Sequence, residues 1–203
     1  MLSWLQRLLF NPKLRSVAAL QQFLAAEAAH LAQRSVIDFV RNELRTLSGP
    51  AFADPKFQAL LAIPRWDAFV ATLADMTVLA HARLAEGPIP QPTLDARLGD
   101  LYATILAAHP PAANRPAGWD SDIAALRARL AARGGSAVRP QAVAEATASR
   151  IFPSLPLKPR DPVGDRAVFC NAFAFGLIAF NDRLRRLLVV DAVCDELTAG
   201  QRQ

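Results

Sequence analysis

The sequence predicts an all-α fold, and three observations carry that prediction. Apolar residues recur at spacings of three and four along most of the chain, no stretch alternates as a half-buried strand would, and proline-rich breaks separate the periodic segments. The expected architecture is an irregular bundle of about seven or eight helices around a long apolar C-terminal helix.

Taken in order, a short N-terminal helix covers about residues 2–10 and ends before Pro12. A longer helical stretch follows from Leu14 to Leu47, where Ser48-Gly49-Pro50 stops it. Asp54-Pro55 opens a short helix around Phe57–Leu61, and Pro64 begins another that runs to Leu84. Thr93 is placed to cap the next helix, which carries Leu94, Leu98, Leu101, Ile105 and Leu106 at helical spacing. A helix from Asp120 to Arg133 then ends at Gly134-Gly135-Ser136, and Pro140 opens one that reaches Phe152.

The last element is read as a single helix from Asp161 to Gly200. Asp161 suits an N-cap, Pro162 the first turn and Gly200 a left-handed stop. In Ala167–Phe180 the only clearly polar side chain is Asn171. A helix apolar on nearly every face is expected to be buried, and this one is read as the centre of the bundle. Asn181-Asp182-Arg183 ends the apolar run short of the roughly 20 residues that a membrane span requires.

The domain reading is a short apolar–basic helix at 1–12 followed by one helical domain at 13–203. Pro-rich connectors near 87–92, 109–118 and 153–162 are too short to act as flexible linkers. A chain of 203 residues with 52% hydrophobic residues is long enough for a substantial core and too apolar for disorder. Arg supplies 20 of the 23 basic residues, which together with abundant Ala fits a GC-rich, bacterial-like genome rather than a function. The net charge of +5 is modest and sits mostly in the second half, so it permits an anionic partner without requiring one.

Cys170 and Cys194 lie 24 residues apart. On an unbroken helix they would be about 36 Å apart, beyond disulfide reach. Two free thiols suit a reducing cytoplasm, and no secretory signal is visible.

No constellation of catalytic chemistry stands out. The three histidines His30, His81 and His109 lack any spacing that pairs two metal ligands on a helix face, so no metal and no cofactor is expected. Nucleophile elbows and phosphate loops are absent. The stripe Glu27, His30, Arg34, Asp38, Arg41, Arg45 falls on one helix face and reads as a solvated surface with Arg34–Asp38 and Asp38–Arg41 pairs. Residues 115–166 carry nine basic and five acidic groups but no recognition motif, so nucleic acid is not an expected partner.

Two regions remain as candidates for interaction. The N-terminal segment offers Trp4, Leu5, Leu8, Leu9 and Phe10 for apolar contact and Arg7, Lys13 and Arg15 for electrostatics. Its expected use is contact with a protein partner, a second copy of the chain or, peripherally, the inner face of a membrane. Beside the C-terminal helix, Phe169, Asn171, Phe173 and Phe175 are candidates for a pocket holding a small apolar ligand. Asn171, Phe175, Ile178 and Asp182 share one face of that helix. The functional expectation is therefore a non-catalytic, cytoplasmic helical interaction protein, with the apolar-ligand protein as alternative. An enzyme assembled from separate turns, around His81, Asp75 and Arg65, stands third.

Overall fold

A computed structural model describes residues 13–110, 118–133, 138–157 and 160–199. Within them lie seven helices of ten or more residues and one of six. They are α1 (Val17–Leu44), α2 (Ser48–Ala53), α3 (Pro55–Leu84), α4 (Gln91–Ala107), α5 (Asp120–Ala131), α6 (Pro140–Ile151), α7 (Pro162–Leu187) and α8 (Val190–Ala199). The all-α prediction holds, and a single parallel bridge between Leu14 and Leu188 is the one β contact among these residues.

The helix starts follow local chemistry. Ser16 accepts the Ala19 N–H at 3.1 Å and caps α1, so that helix begins three residues later than its apolar pattern suggested. Asp54 caps α3 through the Lys56 N–H at 2.9 Å, with Pro55 in the first turn. α4 begins at Gln91 behind Pro90, ahead of the expected Thr93 cap.

Three boundaries differ from the sequence reading. α1 ends at Arg45, whose φ of 49° turns the chain, and the following Ser48-Gly49-Pro50 lies inside α2 instead of ending a helix. A proline in the first turn of a short helix removes an N–H that has no intrahelical partner there. α3 runs unbroken through Pro64, where two helices were expected. The carbonyl that Pro64 leaves without a helical bond belongs to Leu60, which is exposed, so water can serve it.

The third difference is the C-terminal helix, which breaks at Leu188-Val189. The Leu188 N–H still reaches the Leu184 carbonyl at 2.9 Å, but the Val189 N–H goes to the Leu14 carbonyl at 3.0 Å, while the Leu14 N–H donates to Leu187. Because an external acceptor takes that donor, the helical ladder stops and α8 turns away. Glu196 of α8 then accepts the Val17 N–H at 2.9 Å, closing both described ends of the chain on one another. The break removes the basis for placing Cys170 and Cys194 about 36 Å apart on one continuous helix, yet both remain free thiols.

The core is organised around α3. It packs along α1 and also meets α4, α5, α6, α7 and α8. Its residues Ala68–Leu73 and Asp75–His81 are all buried. At the tight crossing of the α3–α4 turn with α8, a Cβ on Gly87 would lie 2.7 Å from Val190 and 2.8 Å from the Cys194 sulfur, so only glycine fits.

Candidate functional site

α7 is the helix that was expected at the centre, and it lies at the edge. It occupies a groove between α1 and α6. Asp161 accepts the Val163 N–H, and Asp165 reaches back to the backbone N–H groups of Arg160 and Asp161, so the first turn is capped from both sides. Phe169, Phe173, Leu177, Phe180 and Leu184 point inward. There Phe169 meets Phe39 edge-on at 5.4 Å and stacks on Phe173 at 6.4 Å, and Phe23 stacks on Phe180 at 5.6 Å. On the inner flank a Cβ at Gly176 would collide with Leu31, so the glycine lets α7 approach α1 closely.

Among the described residues nothing covers the opposite face. Val168 is 62% exposed and Phe175 73%, with Ile178 and the alanines Ala172 and Ala179 also at the surface. Asn171 and Asp182 share this face and make no side-chain hydrogen bond within the described chain. The expectation that an all-apolar helix is buried all round is thus corrected: α7's neighbours cover only one side. By length and composition α7 is also sufficient to cross a membrane, with a mean hydropathy of 1.4 over its most apolar 18 residues and 28% of them buried. This corrects the expectation that the apolar run, ending at Asn181, falls short of a span.

Charged residues border the exposed stripe. Arg34 and Arg41 flank Asp38 at 3.6 and 3.9 Å on α1, as the sequence suggested. Arg183 bonds Glu27 at 2.8 Å and lies over the Phe23 ring at 5.6 Å. Between α1 and α7 a groove of about 440 Å³ contains Leu31, Arg34, Asp38, Ala172 and Phe175. Between α6 and α7 a wider one of about 660 Å³ contains Glu145, Ser149, Arg166, Cys170 and Asn171.

The four candidate pocket residues therefore separate. Phe169 and Phe173 are core, Asn171 lines the α6-side groove, and Phe175 faces outward on the α1 side. Of the N-terminal candidates, Trp4, Leu5, Arg7, Leu8, Leu9 and Phe10 lie outside the described residues. Lys13 and Arg15 are exposed, and the Lys13 ammonium donates to the Arg186 carbonyl at 2.5 Å, beside the C-terminal end of α7.

A second group of polar residues is buried. Asp75 Oδ1 accepts from Arg129 at 2.7 Å, while its Oδ2 has no hydrogen-bond partner. Burial pushes this carboxyl above the usual range. The Arg129 charge, the Thr147 hydroxyl and the Arg150 charge pull it back without cancelling the shift. Six residues on, His81 Nε2 lies 2.6 Å from Asp95 Oδ1, and Gln91 also donates to that oxygen at 2.8 Å. With its Nε2–H donated to Asp95, the ring is left with an unpartnered Nδ1. Burial lowers the His81 pKa, outweighing Asp95, and the nearby Arg133 charge acts in the same direction. Both Asp75 and His81 are fully buried. Geometry of this kind orders α3 against α4, α5 and α6, with His81 held as a neutral donor.

Asp75 and His81 were visible as polar residues in an apolar helix. Their partners Arg129, Asp95 and Gln91 were not, because they come from other helices with no fixed spacing. Arg65, the third residue named for an enzyme, is exposed and close to neither. No group of three or more His, Cys, Asp or Glu residues able to hold a metal occurs among the described residues. Burial and the charges of Asp191 and Asp195 raise the Cys194 pKa, and its sulfur donates to the Leu84 carbonyl at 3.6 Å, so this thiol is a packing group. No family model, curated protein or solved structure matches this chain.

Proposed function

We propose that this chain is a non-catalytic helical interaction protein that self-associates through the outward face of α7. The observation that carries the reading is the uncovered apolar stripe Val168, Ala172, Phe175, Ile178, Ala179 on a helix whose other side is core. Water contact with so large a continuous apolar face is unfavourable, and a protein surface rimmed by charge is the usual setting for a docking patch.

A second copy fits the stripe because the stripe is self-complementary. In an antiparallel pair of α7 helices related by a two-fold axis at Phe175, the two Phe175 rings meet. Ile178 then faces the partner's Ala172, large against small. Asn171 comes within one helical turn of the partner's Asp182, giving each unpartnered polar group a hydrogen bond. The hydrocarbon of a membrane offers no such acceptors or donors, and Asn171 and Asp182 would be desolvated in it. A reducing, cytoplasmic setting suits the two free thiols.

Sedimentation velocity over a range of concentrations tests the reading. The full chain is expected to form a dimer that Phe175→Glu weakens at least about thirtyfold, as loss of a central hot spot does, with helical content unchanged. A chain lacking residues 1–12 is expected to dimerise normally. A monomer at every concentration refutes self-association. Flotation on anionic vesicles that Phe175→Glu abolishes would replace the second copy with a membrane surface. Loss of the dimer on truncation alone would transfer the role to the N-terminal segment.

A further inference from the structure

A separate cavity of about 220 Å³ lies where α1 and α3, the two longest helices, pass each other. It exists because that part of the crossing is built from Ala32 on α1 and Ala62 on α3, with Ala29 beside them, and alanine side chains do not span the gap. Trp66, Phe69 and His109 form the wall. These rings are held in place by one another. His109 sits edge-on to Trp66 at 5.7 Å and to Phe69 at 5.2 Å, and Trp66 is 5.8 Å from Trp119. Trp119 in turn donates its indole N–H to the His109 carbonyl at 3.1 Å. Rings fixed in this way cannot fold inward to close the space.

The rim has a different chemistry. Arg65 and Gln33 line the opening, both are exposed, and neither side chain makes a hydrogen bond or ion pair in the described structure. An unpaired guanidinium and an amide therefore stand at the edge of a small cavity walled by aromatic rings. We infer that this cavity binds a small planar aromatic carboxylate. The rings accept a flat apolar body edge-on or stacked, and the guanidinium takes a carboxylate through two parallel N–H bonds. Gln33 supplies a further donor. The volume falls below that of sites for drug-sized ligands, which restricts the occupant to about one ring system. None of the lining residues belongs to α7, so this site stands or falls independently of self-association.

The test is a titration of the full chain with sodium benzoate, followed by tryptophan fluorescence and by the indole N–H signals in NMR. Benzyl alcohol serves as the uncharged counterpart. Benzoate is expected to shift the Trp66 indole signal saturably. Arg65→Gln is expected to weaken benzoate about tenfold, the loss of one charge-assisted pair, while leaving benzyl alcohol unchanged. Ala62→Leu, which fills the cavity, is expected to abolish both. The site is refuted if benzoate gives no saturable shift up to its solubility limit, or if Arg65→Gln affects both probes equally. Should Ala62→Leu fail to fold, the contrast between the two probes on Arg65→Gln decides.

Discussion

α3 and α7 are both long, both rich in apolar residues, and treated oppositely by the fold. α3, with 30 residues, meets all seven other described helices and keeps even Asp75 and His81 from solvent. α7, with 26, is covered by α1, α3 and α6 on one side and carries Phe175 in water on the other. The pair teaches that apolarity fixes how much surface a helix would gain by burying, whereas the number of neighbours fixes how much it buries. α7's unburied portion is thus left for something outside the described chain.

The sharpest way to break this contrast lies within α7 itself. Phe173→Ala removes a ring with 0% exposure and is expected to destabilise the protein by about 4 kcal/mol, as transfer and cavity terms add. Phe175→Ala, two residues on, is expected to change monomer stability by less than about 0.5 kcal/mol. Urea unfolding at a protein concentration below the dimer range measures both. Similar losses at the two positions would mean that the outward face is packed after all.

The next effect belongs to α3. Asp75→Ala leaves Arg129 without its buried acceptor. Because the Arg129 side chain is 39% exposed it can rehydrate, so the expected loss is about 2 kcal/mol, below that of a fully buried pair. A change within experimental error would show that burial of the carboxylate, which raises its pKa, already cancels the gain from pairing.

His81 gives α3 a pH dependence. Its folded pKa lies below the ordinary histidine value of 6.5, so the unfolded chain binds the proton first on acidification. Its contribution to stability is complete above 6.5 and is lost as pH falls from there toward the folded value, at about 1.4 kcal/mol per unit of separation. Urea midpoints between neutral and mildly acidic pH are expected to fall more steeply for the wild type than for His81→Gln. Parallel slopes would assign the acid sensitivity elsewhere. The smallest effect is at α7's rim. Glu27→Gln, which breaks a half-exposed pair with Arg183, is expected to cost about 0.5 kcal/mol and to diminish in high salt.

Much of the fold was legible in local chemistry. The caps Asp54 and Asp161 and the prolines at 55, 140 and 162 mark helix starts where the structure has them. The solvated stripe on α1 was equally readable, since its spacing alone puts Arg34, Asp38 and Arg41 together. The sites were far less legible. Asn171, Phe175, Ile178 and Asp182 were seen to share a face, but the direction of that face depends on where α1 and α6 lie. Trp66, Phe69, His109 and Trp119 span more than fifty residues and converge only because α3 and the end of α4 fold side by side.

The sequence by itself determined that this protein is helical, that α3 and α7 are apolar, and where most helices begin. Those outcomes depend on periodicity and on hydrogen bonds within a few residues. Only the tertiary structure decided that Pro64 sits inside a continuous helix and that the final helix breaks at Leu188-Val189. It alone decided which face of α7 meets water and which residues gather around the cavity beside Arg65. Each of these turns on a partner remote in sequence: the Leu14 carbonyl for Val189, α1 and α6 for α7, and α1 for Trp66. Spacing along one chain segment carries no information about such a partner, because the free energy that selects it comes from packing between elements.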